Sequence, residues 1–297
     1  MEHIVINDNL HWPWTVFPSL DPRLKGYPFV GNFWLMTGIV AAYVYFVKVA
    51  GPRWMASREP FQITGLIKVY NFVNIFVNFF FTVQFGRYSY FGGGYSWFCQ
   101  KMDHSRDANS IMLVNLGYFY CIVRVIDFLD TVFFVLRKKF SQITTLHYTH
   151  HALVAWSGWL FVSVGCDGQV VLGIMVNSAI HVLMYTYYFL AACGPIVRRH
   201  LWWKRYITRI QITQFVCLLI HIMIPVFYDC GYPRGLLLWA FAQGTFGLVL
   251  FINFYVKSYI SRQSIDKTYG PALKSATKSL LTNNDEEKPN RAYSKRA

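Results

Sequence analysis

This sequence is short of charge. Of its 297 residues only 14% are Asp, Glu, Lys or Arg, against roughly 25% in soluble domains. Acidic residues are the scarcer kind: 14 Asp and Glu face 28 Lys and Arg, for a formal net charge of +14. A chain that is 55% hydrophobic and 19% aromatic cannot hide its apolar surface in one water-soluble core, so lipid must cover much of it. Nucleic-acid binding, one reading of a basic protein, fits poorly, because the Lys and Arg sit in short clusters between apolar runs. That arrangement suits the cytoplasmic side of a membrane protein and an anionic ligand or lipid surface. Asn-x-Ser/Thr sequons are absent, so glycosylation gives no topological guide. The six cysteines, Cys99, Cys121, Cys166, Cys193, Cys217 and Cys230, form no Cys-x-x-Cys pair and do not read as a zinc site. The first 28 residues lack the continuous apolar core of a signal peptide, so none is expected. No repeat period of 20–50 residues is evident.

Apolar runs long enough to cross about 30 Å of hydrocarbon are plentiful. They cover Phe29–Ala50, Ile67–Phe85, Ile111–Leu136, Thr144–Val164, Val170–Ala192, Ile210–Phe227 and Gly235–Tyr259. The expected fold is therefore an all-α integral membrane protein with about seven transmembrane helices over 29–259. Lys48, Arg53, Arg58, Arg137, Lys138, Lys139, Arg198, Arg199, Lys204 and Arg205 fall in alternate loops. The opposite loops hold only Arg87, Lys101, Arg106 and Arg234. The positive-inside rule then places the N-terminal segment, 1–28, outside the cytosol and the C-terminal tail, 260–297, inside it. That tail is polar and basic and reads as disordered. Its Lys295 matches a dilysine retrieval signal only in part.

Ionisable groups inside apolar spans are expensive and mark function by default. The third run carries Arg124, Asp127 and Asp130 at helical spacing, a triad that equally suits a structural ion pair. The fourth opens with His147, His150 and His151 at i, i+3 and i+4, which share one helical face. Metal binding, acid–base work and nucleophilic chemistry are all open to three such imidazoles. Asn177 and His181 stack on the fifth run, followed by Tyr185, Tyr187 and Tyr188, which also suit an interfacial aromatic belt. Gln211 and Gln214 stack on the sixth, where amides often join helices. These groups lie at similar depth, near the cytosolic ends of runs three to six, and so point to a single site.

Taken together the motifs resemble the very-long-chain fatty-acid elongases of the endoplasmic reticulum, the ELOVL family. The likeness rests on Asp130-Thr131-Val132-Phe133-Phe134-Val135-Leu136-Arg137-Lys138-Lys139, on the histidine box, and on His181-Val182-Leu183-Met184-Tyr185-Thr186-Tyr187-Tyr188. Thr208-x-x-Gln211-x-x-Gln214, Leu201-Trp202-Trp203-Lys204-Arg205-Tyr206, Asp21-Pro22-Arg23 and Arg58-Glu59-Pro60-Phe61 add to it. It runs from Asp21 to Tyr259. One departure stands out: Arg124-x-x-Asp127 replaces the family's usual Lys-x-x-Glu, and an arginine does not readily give up its proton.

The resemblance implies a condensation of acyl-CoA with malonyl-CoA to 3-ketoacyl-CoA, CO2 and CoA, for long and very-long chains. It implies an endoplasmic reticulum membrane location and seven helices, six of them surrounding an acyl-chain tunnel that opens to the cytosol. No bound cofactor or metal is expected. Acyl-CoA, malonyl-CoA and membrane lipid are the expected partners, with a second copy or other elongation-cycle enzymes as protein partners. His150 is the expected nucleophile, because no cysteine lies in these motifs and neutral imidazole is competent near pH 7. His147 and His151 would relay protons, with Asp130 as orienting acceptor. Asn177 and His181 would stabilise an oxyanion or enolate, and Gln211 would hold a carbonyl. Arg137, Lys138, Lys139, Lys204, Arg205, Arg209, Lys257 and Arg262 are candidates for the CoA phosphates. The topology puts Cys99, Cys166 and Cys230 on the lumenal side, and the resemblance favours a Cys99–Cys230 disulfide. Two rivals compete: a di-iron desaturase or hydroxylase, which needs more histidine boxes than His3, His11, His104, His200 and His221 supply, and a seven-helix transporter or receptor with a proton relay.

Overall fold

In the computed structural model, residues 19–261 are described. Residues 1–18 and 262–297, which include Arg262, Lys295 and most of the expected tail, lie outside them. The chain divides into two compact units, Met1–Phe251 and Ile252–Ala297. The candidate site belongs to the first.

The helices are α1 (Phe33–Tyr45), α2 (Gly51–Met55), α3 (Thr64–Tyr88), α4 (Ala108–Ile126), α5 (Phe128–Leu136), α6 (Thr145–Val164), α7 (Val171–Ala192), α8 (Pro195–Arg198), α9 (Lys204–Phe227) and α10 (Arg234–Tyr255). Among the described residues five segments are long and apolar enough to cross a membrane: Phe33–Met55, Thr64–Tyr88, Gly168–Ala192, Lys204–Phe227 and Arg234–Ile260. The other two expected spans correspond to α4 with α5, which carry Arg124, Asp127 and Asp130, and to α6, whose histidines lower its hydropathy. The all-α membrane fold is borne out, and α4, α5 and α6 pack among the apolar helices.

Three local features differ from the sequence expectation. The first span starts and ends later than expected, running Phe33–Met55, because α1 continues into α2 through a π-helical turn, Phe46–Ala50. Pro52 has no N–H and its ring crowds the preceding turn, and the widened turn absorbs that conflict. The third run is not one helix. Asp130 N–H bonds Asp127 O at 3.1 Å, an i to i+3 bond that tightens the backbone between α4 and α5. Lys204 and Arg205 are not loop residues but open α9.

Six helices close a ring. α3 packs on α4 and α7, α4 on α6, and α7 on α9. Gly244 of α10 lies against Leu219 of α9. Trp239 of α10 donates its indole N–H to Ser157 Oγ of α6 at 3.0 Å, which completes the circuit. α1 packs outside, on α6. The expected enclosure by six helices is thus present. Gly117 of α4 lies tightly against the connection after α6: a Cβ there would stand 2.5 Å from Cys166 Cβ.

One end of the ring is capped by loops. Cys99 and Cys230 are joined as a disulfide. Buried Gln169 accepts from Gln100 N–H at 2.8 Å and donates to His221 O at 2.9 Å. Arg23 pairs with Asp21 at 2.5 Å and donates to Ser110 Oγ at 2.6 Å. Asp167, in the connection after α6, accepts from Tyr95 O–H and Gly168 N–H. Burial raises its carboxyl from 3.8 to about 6, even though the Gly168 N–H and Arg23 act to lower it.

An acid whose pKa is higher folded than unfolded destabilises the fold once it ionises. That cost is absent below pH 3.8, grows as pH rises through about 6, and is constant above. Asp167→Asn, which removes the charge, should therefore be more stable than the parent at pH 7 by up to about 3 kcal/mol. The difference should shrink towards pH 4. Thermal unfolding in detergent across pH 4–8 measures it, and a variant less stable at pH 7 would contradict this account.

Candidate active site

Thr144 caps α6, its hydroxyl accepting the His147 N–H at 3.2 Å. This cap sets the histidines in the first two turns, all on one face. The His147 and His151 rings are 4.5 Å apart and those of His150 and His151 5.8 Å apart. His147 Nε2 lies 2.9 Å from Thr131 Oγ1 of α5, which also meets Tyr43 OH of α1 at 2.8 Å. His150 faces a different neighbourhood. Its ring stands 5.8 Å from Phe251 and lines a cavity of about 190 Å³ inside the ring.

Asn177, Tyr120 and Gln214 line the same cavity, and apolar groups including Val154, Phe161, Ile174 and Leu218 continue it towards the capped end. The Asn177 amide oxygen accepts from Tyr120 OH at 2.9 Å. His181, one turn along α7, is instead held by Arg124, whose Nη1 lies 2.7 Å from His181 Nδ1. A guanidinium only donates, so Nδ1 is the acceptor and the imidazole proton sits on Nε2. Arg124 also donates to Asn78 Oδ1 at 2.9 Å and pairs with Asp127 at 3.2 Å. One cation thus joins α3, α4 and α7.

Two of the expected roles need correction. Asp130 is not hydrogen-bonded to a histidine among the described residues. It contacts Tyr185 OH at 2.9 Å, and it is the next residue, Thr131, that reaches His147. The tightened turn at Asp127 is the reason, since it aims Asp127 and Asp130 together at α7. Gln211 does not line the cavity either. Its amide lies 3.9 Å from the Met184 sulfur, whereas Gln214, in line with Leu218, His221 and Ile222, faces inward.

Of the basic candidates, Arg137, Lys138 and Lys139 follow α5, and Lys204, Arg205 and Arg209 occupy the first turns of α9. Lys138 donates to Ala56 O at 3.3 Å, and Arg205 and Arg209 lie over the Tyr206 ring at 5.1 and 5.3 Å. Both groups are at the histidine end of their helices. Lys257 belongs to the second unit. Among the described residues no three His, Cys, Asp or Glu side chains gather where they could hold a metal ion.

Comparison with known proteins decides the family. The ELO family model, GNS1/SUR4, matches residues 28–267. The chain belongs to the ELO family. It is 39% identical to human very long chain fatty acid elongase 1 over 248 residues, 82% of this chain and 88% of that protein. It is 36% identical to rhesus macaque very long chain fatty acid elongase 4 over 257 residues, covering 86% and 80%. A mosquito relative, very long chain fatty acid elongase AAEL008004 of Aedes aegypti, is 36% identical over 239 residues, covering 80% and 67%.

In this ELO protein, sequence reasoning passed over Tyr120 and gave Thr131, Tyr185 and Gln214 no role in the site's chemistry. Tyr185 had a signal, since it sits four residues after His181, but a tyrosine in an apolar run also reads as interfacial. Its hydroxyl lies 3.0 Å from Asp127 Oδ1 and 2.9 Å from Asp130 Oδ2. A phenol has one proton to give, so its second carboxyl contact requires a proton on that carboxyl group. Asp127 carries the ion pair to Arg124, which leaves the proton on Asp130. Asp130→Asn, a mimic of the neutral acid, should therefore change stability by no more than about 1 kcal/mol. Asp127→Asn, which strands a buried guanidinium, should lose about 3–5 kcal/mol. Equal losses in detergent unfolding would refute this assignment of the proton.

Proposed function

We propose that this ELO protein is the condensing enzyme of fatty-acid elongation, a 3-ketoacyl-CoA synthase acting on long and very-long chains. The observation that carries the reading is His150. It lines one end of a largely apolar cavity and has no hydrogen bond to another described side chain, while Asn177 and Gln214 line the same cavity. The names of its relatives support fatty-acid elongation. The cavity's other end contains Cys166, so a thiol nucleophile would sit where the tail of a substrate belongs.

In this scheme an imidazole nitrogen of His150 attacks the acyl thioester carbon. The C–N bond forms, the C–S bond breaks, and CoA leaves as thiol with the proton that imidazole gives up. Malonyl-CoA then loses CO2, and its enolate attacks the acyl-imidazole carbonyl. A C–C bond forms, the C–N bond breaks, and one proton returns to His150. Asn177 and the Nε2–H of His181 are the donors for developing negative charge. Gln214 takes the carbonyl-holding role first assigned to Gln211. His147 and His151 carry protons between the site and its mouth. Arg137, Lys139, Lys204, Arg205 and Arg209 meet the CoA phosphates, which suits cations placed at the start of α9, where the helix dipole alone favours anions.

The same reading puts the histidine end in the cytosol and the disulfide end in the lumen of the endoplasmic reticulum, where oxidising conditions preserve Cys99–Cys230. Acyl-CoA and malonyl-CoA are the partners it requires.

Incubation of purified protein with acyl-CoA alone should release one equivalent of CoA and add one acyl mass to the 147–151 peptide. With both substrates the kinetics should be ping-pong. His150→Ala should lower turnover by at least about 1,000-fold and abolish the adduct. Normal condensation by that variant, or no adduct under trapping conditions, would remove His150 from the nucleophile's role.

A further inference from the structure

Asn177 and Tyr120 are bonded to each other near one end of the cavity, and Gln169 to His221 near the other, but a pair between the ends does not use its full hydrogen-bonding capacity. Ser157 is buried on α6, seven residues beyond His150, or about 10 Å along the helix. Its oxygen accepts the Trp239 indole N–H, and its own proton has no acceptor among the described residues. Gln243, one turn after Trp239 on α10, shares that residue's helical face. Its Oε1 is buried without a hydrogen-bond partner among the described residues. Both Ser157 and Gln243 line the cavity, as do the apolar Val154, Phe161, Leu218, Leu219, Ala240 and Gly244.

An amide oxygen left unpaired among such groups is destabilising by about what a lost hydrogen bond costs, and buried acceptors are otherwise nearly always satisfied. The residues nearby offer little that could satisfy it. Ala240 and Gly244 carry no polar side-chain atom, and Leu219 fills the space beside Gly244. The station thus holds one unsatisfied acceptor and one undonated hydroxyl proton. A single group on a threaded chain that both donates and accepts would match the two together. A methylene does neither, and an alkene supplies no donor. A hydroxyl does both.

We propose that Ser157 and Gln243 form a hydroxyl-reading station in the acyl tunnel, and that this protein's preferred substrates include acyl chains carrying a mid-chain hydroxyl. In the bound state the substrate hydroxyl donates to Gln243 Oε1 and accepts from Ser157. The inference rests on the condensing-enzyme reading above and specifies its substrate class. It sets where along the chain the hydroxyl must lie, because the thioester carbon is held at His150 and the station is a fixed distance beyond it.

The test is a positional scan on the full-length protein in detergent. Saturated acyl-CoAs of one chain length, each with a single hydroxyl at successive carbons, are compared with the unsubstituted chain by incorporation of labelled malonyl-CoA. A single optimum is expected, with kcat/KM about tenfold above that of positions two or three carbons to either side. Gln243→Leu should flatten the scan, lowering the ratio of the optimum to the unsubstituted chain by about the same factor, and Ser157→Ala should act in the same direction. A wild-type scan that is flat, or that only declines as the hydroxyl moves inward, overturns the station whatever the variants do. An optimum that persists unchanged in Gln243→Leu overturns it equally. If wild type fails to elongate even the unsubstituted chain, the condensing-enzyme reading itself fails, an outcome distinct from elongation without hydroxyl preference.

Discussion

A guanidinium buried in a bundle of apolar helices must be surrounded by acceptors or the bundle does not form. Arg124 meets most of that requirement through Asn78 of α3, Asp127 at the end of its own helix and His181 of α7, and only its Nε is buried without a partner among the described residues. The arrangement has two consequences. It holds α3, α4 and α7 in one register, which supports half of the six-helix ring. It also fixes the His181 tautomer, because an arginine cannot accept a hydrogen bond. A lysine at position 124 would supply one ammonium in place of a planar fork. The fork is what lets one side chain contact a neutral amide, an imidazole and a carboxylate together.

Around this centre the polar groups separate into layers. Asp127, Asp130, Tyr185 and Tyr70 form a shared carboxyl–phenol cluster behind α5 and α7. The histidine box lies across from it on α6, linked through Thr131. Asn177, Tyr120 and Gln214 face the cavity. At the far end Gln169, Asp167 and the disulfide hold three loops together. Between the two ends the helices present mainly carbon. The condensing reaction proposed above would use that distribution by placing the reactive head of its substrate at His150 and the apolar tail towards the cap.

The correspondence between sequence and structure is uneven for physical reasons. Membrane spans are legible because hydrocarbon thickness imposes a length and an apolar composition. The family was legible because several motifs occur together along the chain. Side-chain roles were less so. The i, i+3, i+4 pattern correctly grouped His147, His150 and His151, but periodicity does not say which of them faces a cavity. Gln211 and Gln214 share a helical face by spacing, and only the depth at which α9 crosses its neighbours separates them. Asp130 was expected to orient the histidines as an acceptor. The tight turn after Asp127 rotates it towards Tyr185, and no composition or period reports that turn.

By itself the sequence determined that this is a multi-span helical protein of the ELO family, with its ionisable groups concentrated in a few of its spans. Those properties follow from local composition, helical period and motif order, which need no knowledge of neighbours. Only the tertiary structure decided that six helices close into a ring, that Arg124 sets the tautomer of His181, that Tyr185 joins two carboxyl groups, and that His150 rather than His147 reaches the cavity. Each of these depends on contacts between residues far apart in the chain. Helix packing angles and a single tightened turn set those contacts, and they leave no periodic trace in the sequence.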